Sequence, residues 1–363
     1  MYSDSDLEAA VAAGALSPDA ADALRNYVAA RSASSPVDEE HFRLITGFND
    51  IFVSIAAAIL LFAVGWIGNA VGPNIGGDGP SPFAGLFVAG TAWGLAEFFT
   101  RKRRMALPSI LLLLAFTLGV LLTAFSAIVL AIGESVFENN ERLAALAVAG
   151  SAAIAAGATW LHWRRFRVPI TVAAGAATVV GVVLALVAYA VGDVASLRNV
   201  MLGVALVLGV GVFLFAMWWD SSDRNRQTRR SDVAFWLHLL AAPMIVHPIF
   251  SLLGLNDGDA SIGEAVIVLG VYVLLGITAL AIDRRALLVS ALAYVLFALI
   301  SLFREFGAVE LNIALAAFVI GSGLLLLSAF WHSVRRSIVR PLPPGLQARL
   351  PILDRAAPIA AAA

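Results

Sequence analysis

No cysteine occurs in the 363 residues, and lysine occurs once, at Lys102. The first absence removes disulfides, thiolate nucleophiles and cysteine-bound metal. The second leaves one place for a phosphate-binding Gly-x-x-x-x-Gly-Lys-Ser/Thr loop, and the residues around Lys102 do not fit it. Neither His-Glu-x-x-His nor Gly-x-Ser-x-Gly occurs, and the five histidines form no His-x-x-x-His. The sequence therefore offers no enzyme signature, no catalytic residue, no cofactor site and no metal site. Charge is also scarce. Asp, Glu, Lys and Arg make up 13% of the chain, against roughly 25% in soluble domains. The net charge of −1 points to no nucleic-acid partner. The acidic first eight residues are not followed by a short apolar stretch and cleavage site, so no cleaved leader is expected and the first span serves as the targeting signal.

What is abundant is apolar surface, 60% of the residues. It comes in runs of roughly 17 to 25, the length that crosses a hydrocarbon core of about 30 Å as a helix. Leu, Ala, Val and Gly fill these runs without the period-two alternation of a barrel strand. Backbone groups in lipid must then be satisfied within each segment, which makes the runs helices. The expected fold is an all-α integral membrane bundle with the lipid bilayer as its partner. Spans are predicted at about 51–71, 84–100, 105–131, 143–162, 168–191, 199–219, 233–254, 261–282, 285–304 and 311–332. Residues 1–50 form a soluble helical hairpin and linker, 51–332 the ten-span bundle and 333–363 a tail.

Within the soluble segment, helices are expected over 7–13 and 18–31. Ser17 caps the second and Pro18 occupies its first position. Residues 31–36 read as a linker and 38–44 as an interfacial helix. The hairpin is too small to be stable alone, so residues 1–50 are a candidate docking site for a protein partner.

Orientation follows from the basic residues. Arg-Arg occurs in the membrane region at 103–104, 164–165, 229–230, 284–285 and 335–336, each time just after an even-numbered span. Of the 24 basic residues, only Arg142, Arg198 and Arg304 fall on the other side, where the connections are acidic. The positive-inside rule then places both termini in the cytoplasm. Trp160, Trp163, Trp218, Trp219, Trp236 and Trp331 lie near the basic ends, where indole prefers the headgroup zone; His162 and His332 beside them read as interface residues. The preference for Arg over Lys and the abundance of Ala suit a GC-rich bacterial genome, hence a bacterial inner membrane.

The Arg pairs are spaced by 61, 65, 55 and 51 residues, about one helical hairpin each. Arg103 to Pro108 and Arg164 to Pro169 share the pattern Arg-Arg-x-x-x-Pro. Such a two-helix repeat returns to the same side and differs from the inverted repeats of many ten-span transporters. A bundle of hairpins with basic loops looks similar without any repeat.

The seventh span is the unusual one. It holds His238, Pro243, His247 and Pro248. The prolines cannot bond the carbonyls of Leu239 and Met244, and Pro248 disfavours helical geometry at His247, so a kink or break is expected in the outer half. Freed carbonyls at membrane depth are how transporter helices build solute and ion sites. His238 and His247, with Pro243 and Pro248, are therefore candidates for a proton or small-solute site; the alternative is two neutral imidazoles bonded inside the bundle. Glu97 is the one acid placed clearly inside a span. A mid-membrane charge costs about 2.5 to 3.5 kcal/mol on insertion scales, and Arg101 four residues on offers a partner. Runs of small residues in spans four and five, around Gly150 and Gly175, mark close helix packing.

The segment from Leu7 to Leu24, with Gly14-Ala15-Leu16-Ser17 as its turn, followed by many spans, resembles a group of bacterial multi-pass membrane proteins classed as domains of unknown function. The resemblance covers the layout of the chain and implies no catalytic or binding residues. Two functions follow from the sequence as expectations. One is a transporter-like bundle with its site at the seventh span, and the other a membrane scaffold that binds a partner through residues 1–50.

Overall fold

The computed structural model describes Leu7 and residues 10–24, 48–192, 194–224, 226, 228–252, 262–305 and 311–353. The expected linker 31–36 and interfacial helix 38–44 lie outside these residues, as do Asp193, Asp257, Asp259 and Glu310. Near the N-terminus the first helix ends in a Schellman turn. Gly14 takes the left-handed conformation (φ 72°), and Ala15 N–H bonds Ala10 O at 2.9 Å. Ser17 then caps the next helix, accepting from Ala20 N–H at 3.2 Å.

A separate compact unit, Leu44–Leu353, holds the long helices. In chain order these are α1 (Phe48–Val71), α2 (Pro82–Ala96), α3 (Ala106–Ile132), α4 (Glu141–Phe166), α5 (Ile170–Val191), α6 (Val194–Ser221), α7 (Arg229–Leu252), α8 (Ile262–Ile282), α9 (Ala286–Glu305), α10 (Asn312–Ala329) and the short α11 (Trp331–Val339). A π-helical turn, Glu97–Lys102, prolongs α2. Among the described residues there are no strands, and nine helices are long and apolar enough to cross a membrane: α1 to α8 and α10. The remaining predicted span, 285–304, coincides with α9.

The outer surface fits lipid rather than water. Phe62 and Trp66 of α1 are each 70% exposed and Leu325 of α10 is 74% exposed, exposures that a hydrocarbon solvent makes favourable. The chain is a multi-pass helical membrane protein. Its tightest packing joins α2 to α3, α4 to α5 and α6 to α7, three of the four pairs connected on the arginine-rich side. Glycine sets the closest approaches. A Cβ on Gly119 would lie 2.7 Å from Gly85 O, so α2 and α3 meet backbone to backbone. The small residues of α4 work through alanine instead: Ala147, Ala149, Ala152 and Ala155 are buried, while Gly150 and Gly157 have room for a side chain.

Helix α7 is the hub. Half of its apolar stretch is buried, against 39% for α3 and less for the other seven helices long and apolar enough to cross a membrane. Val233, Leu237 and Ala241 pack with α5 and α6, Ala242 packs near the end of α8, and Val246 and Phe250 pack with α8 and α9. The break expected at its prolines does not form: α7 is helical from Arg229 to Leu252 with Pro243 and Pro248 inside it. Each proline removes one hydrogen bond while the flanking helices hold the backbone in place, as neighbours do for prolines in membrane helices. One such contact lies at Met244, whose carbonyl Pro248 leaves without its intrahelical donor. A Cβ on Gly209 of α6 would sit 2.9 Å from Met244 O.

After α10 the chain does not leave the bundle. Residues 331–353 belong to the same compact unit, and Trp331, Val339 and Leu350 are buried against Leu280, Ile282 and Leu287. Trp331, Arg335 and Val339 recur every four residues on the buried face of α11, whereas His332 and Arg336 are exposed.

A candidate charged site at the arginine-rich ends

Helix α8 ends in a Schellman motif that positions two charged side chains. Arg284 N–H bonds Ala279 O at 2.9 Å and Asp283 N–H bonds Leu280 O at 3.3 Å, with Asp283 left-handed at φ 58°. Glycine is the usual residue there, and Asp is among the few others that tolerate it. The turn sends Asp283 and Arg284 to different partners.

Arg284 meets Asp220, the penultimate residue of α6. Its Nη2 donates to Oδ1 at 2.6 Å and its Nε to Oδ2 at 3.2 Å, a two-pronged ion pair. It also donates to Ser231 O in the first turn of α7 at 3.1 Å. Asp220 Oδ2 lies 3.2 Å from His238 Nε2 of α7. Because the carboxylate only accepts, His238 is the donor through Nε2, and its buried Nδ1 has no hydrogen-bond partner among the described residues. Phe213 meets the imidazole edge-on at 5.3 Å, and the Phe235 ring lies 5.9 Å from the Arg284 guanidinium. The side chains of Asp220 and His238 are 0% exposed and that of Arg284 is 3% exposed. With a neutral imidazole the charges of this centre cancel, which is the condition for burying them.

Asp283 anchors a second group. Arg226 Nη1 donates to Oδ2 at 2.9 Å, Trp331 Nε1 donates to Oδ1 at 2.7 Å, and Arg335 Nε lies 3.8 Å from Oδ1. Arg335 also donates to Leu280 O at 3.2 Å and Pro351 O at 2.7 Å. Arg224, between α6 and α7, donates to Leu350 O at 2.9 Å and Gln347 O at 3.1 Å. The last described residues are thus clasped by arginines from both sides.

The candidates read from the sequence fall in three places. His238 sits in the Asp220 centre. His247 is on an exposed part of α7 with Nδ1 2.6 Å from Tyr294 Oη of α9; Pro243 is exposed and Pro248 buried. The two histidines therefore have separate partners. Glu97 is at the arginine-rich end of α2, partly exposed. It accepts from Arg101 at 3.3 Å and, more closely, from Arg165 of α4 at 2.6 and 3.0 Å. The i, i+4 partner is present and a stronger one comes from the next hairpin.

His162 differs from its expected place at the interface. It is 1% exposed, 4.5 Å from the Phe166 ring and 5.5 Å from that of Phe116. Its neighbour Trp160 is 54% exposed: residues two apart are turned by about 200° around a helix. His332 is exposed.

Asp220, Asp283, Arg226, Arg284 and Arg335 were not singled out by the sequence, which assigned such arginines to the loops as topological signals. A recurring connection is visible only in three dimensions. Glu97 pairs with Arg165, Asp220 with Arg284 and Asp283 with Arg335. In each, an acid at the arginine-rich end of an even-numbered helix or the turn just after it reaches an Arg-Arg pair in the last turn of the next even-numbered helix or just after it. The available sequence signal was the acid on the basic side, most plainly Asp283-Arg284-Arg285. Among the described residues, no group of three or more acidic or histidine side chains could hold a metal ion. Compared with protein-family models, curated proteins and solved structures, the chain matches none.

Proposed function

We propose that this chain is a ten-span, transporter-like protein of a bacterial inner membrane with both termini cytoplasmic, and that it passes a proton or small solute along α7. On this reading the charge network at the arginine-rich ends is its cytoplasmic gate. The orientation rests on the bias of basic residues to one side. The gate rests on one observation: Asp220 is held at once by His238 of α7 and by Arg284 from the α8–α9 turn.

A static bundle gains little from burying such charges, since apolar side chains of similar volume hold helices together as well or better. Their use suits an element that exchanges partners. Asp220 retains Arg284 when His238 withdraws, so α7 can move without stranding a carboxylate. The means of movement is also in α7. Pro243 lies between His238 and His247, which are tied to α6 and α9 respectively. A bend at the prolines would release one histidine before the other.

The absence of cysteine makes the test direct. A single Cys at Leu237, which is fully buried beside His238, is labelled with a membrane-impermeant maleimide from the arginine-rich side. Opening the gate with Arg284→Ala should raise the labelling rate by at least tenfold at unchanged protein yield. A rate equal to that of the Cys variant alone, in both Arg284→Ala and Asp220→Asn backgrounds, would show that nothing opens there.

A further inference from the structure

Two buried polar atoms in this half of the bundle, His238 Nδ1 of α7 and Tyr272 Oη of α8, have no hydrogen-bond partner among the described residues. The bond from Arg284 to Ser231 O puts the start of α7 and the end of α8 at one level. At about 1.5 Å per residue, His238 then lies about 10 Å into the bundle, Tyr272 about 18 Å and His247 about 24 Å. Tyr272 packs against two apolar clusters, one holding Ala242 and the other Val246 and Phe250. Ala242 and Val246 follow His238 at intervals of four, so both clusters include the face of α7 that bears His238. His247 is turned half-way round the same helix, and Tyr294 Oη of α9 meets its Nδ1 at 2.6 Å. Tyr294 stacks on Phe250 at 4.5 Å and packs against the same cluster as Tyr272. The two tyrosines thus stand between histidines that α7 alone keeps apart.

We infer that the species passed along α7 is a proton and that Tyr272 is the relay between the His247–Tyr294 pair and His238; the inference rests on the transport reading above and narrows it. A solute would have to part a packed face, since Ala242, Val246 and Phe250 are 0% exposed. A proton needs only a file of groups that both accept and donate, bridged by water where the spacing exceeds a hydrogen bond. Hydroxyl and imidazole are such groups. His247, which is exposed, takes up a proton at Nε2 and gives the one on Nδ1 to Tyr294 Oη. Tyr294 and then Tyr272 each accept a proton on oxygen and pass on their own. His238 receives it at Nδ1 and releases the hydrogen that Nε2 donates to Asp220. One proton enters, one leaves, and no electrons are exchanged. The charged groups on His238 are Asp220, in direct contact, and Arg284 behind it: the carboxylate offsets the transient imidazolium while it stays bonded to the guanidinium.

The test uses the full chain in liposomes loaded with the pH-sensitive dye pyranine, with a potassium gradient and valinomycin supplying the driving potential. Parent vesicles should pass protons faster than protein-free ones. Tyr272→Phe removes the hydroxyl and keeps the ring; it should slow the flux by about a hundredfold, the lower end of what a positioned proton-transfer group contributes. Maleimide labelling at Leu237→Cys should be unchanged by Tyr272→Phe, with or without Arg284→Ala, because the hydroxyl takes no part in the gate. Equal flux in the parent and Tyr272→Phe would overturn the inference, as would a parent flux no greater than that of protein-free vesicles. If Arg284→Ala still speeds labelling in that case, the gate stands and only the proton assignment falls. A Tyr272→Phe protein whose flux and labelling both change would show that the residue acts through packing, and would overturn the relay as well.

Discussion

Replacing Arg284 by methionine removes both bonds to Asp220 and the bond to Ser231 O while keeping most of the buried volume. Asp220 is then a fully buried carboxylate with only the His238 Nε2 donor among these partners. Breaking one side of a buried pair costs about 3 to 5 kcal/mol, chiefly because the remaining charge is uncompensated. The compact unit has about 300 residues, and an unfolding entropy near 2.1 cal/mol/K per residue converts that loss to a melting-temperature drop of about 5 to 8 °C. Asp220→Asn in the same chain removes the stranded charge. The double variant should recover most of the loss, with a coupling of at least 2 kcal/mol, within the range of about 0.5 to 3 kcal/mol seen for contacting residues. Thermal unfolding of the four proteins in one detergent, followed by intrinsic tryptophan fluorescence, measures the cycle. A single variant within 2 °C of the parent, or a double variant no more stable than Arg284→Met, would refute the claim that this pair is buried and charged.

Glu97→Gln should behave differently in the same assay: its pair with Arg165 is partly exposed and screened by solvent, so the melting temperature should fall by much less than in Arg284→Met. Gly209→Leu forces α6 away from Met244 and should destabilise the α6–α7 hairpin by about 1 to 3 kcal/mol as overpacking, read as increased proteolysis near residues 222–228; an unchanged digestion pattern would count against the close approach. Ending the chain at Arg340 removes the carbonyls of residues 347–352 that Arg224 and Arg335 bind and should lower the melting temperature by several degrees; an unchanged melting temperature would count against the clasp. Single cysteines at Ser337 and Gly77 should label from opposite faces of oriented vesicles; labelling from one face would overturn the proposed topology.

The helices were legible in the sequence because lipid imposes a simple rule: a run of apolar residues must satisfy its own backbone, and its length is set by the bilayer. The turns were legible where one residue carries the geometry, as at Gly14 and Ser17. At α8 the left-handed position is Asp283 and therefore gave no glycine signal. The network itself was hidden for a similar reason. Arg284 and Arg285 are adjacent in sequence and read equally as positive-inside residues, yet one is buried on Asp220 while the other lines an apolar cleft. Which member of an Arg-Arg pair turns inward depends on where the preceding helix ends, and a hydropathy pattern fixes that only to within a few residues. His162 was misplaced because Trp160 and Trp163 flank it in sequence; the inward face 155, 159, 162, 166 was the better guide.

The clasp on the last described residues bears on the order in which the protein is made. A chain synthesised from its N-terminus exposes Arg224, Arg226, Asp220 and Asp283 well before Trp331, Arg335 and the carbonyls of residues 347–352 exist. The first two hairpins can assemble as they emerge, since Glu97 and Arg165 are both present by the end of α4. The Asp283 group cannot be completed until α10 has inserted and the chain has folded back beneath it. Until then Asp283 lacks the Trp331 and Arg335 side chains that face it in the finished fold.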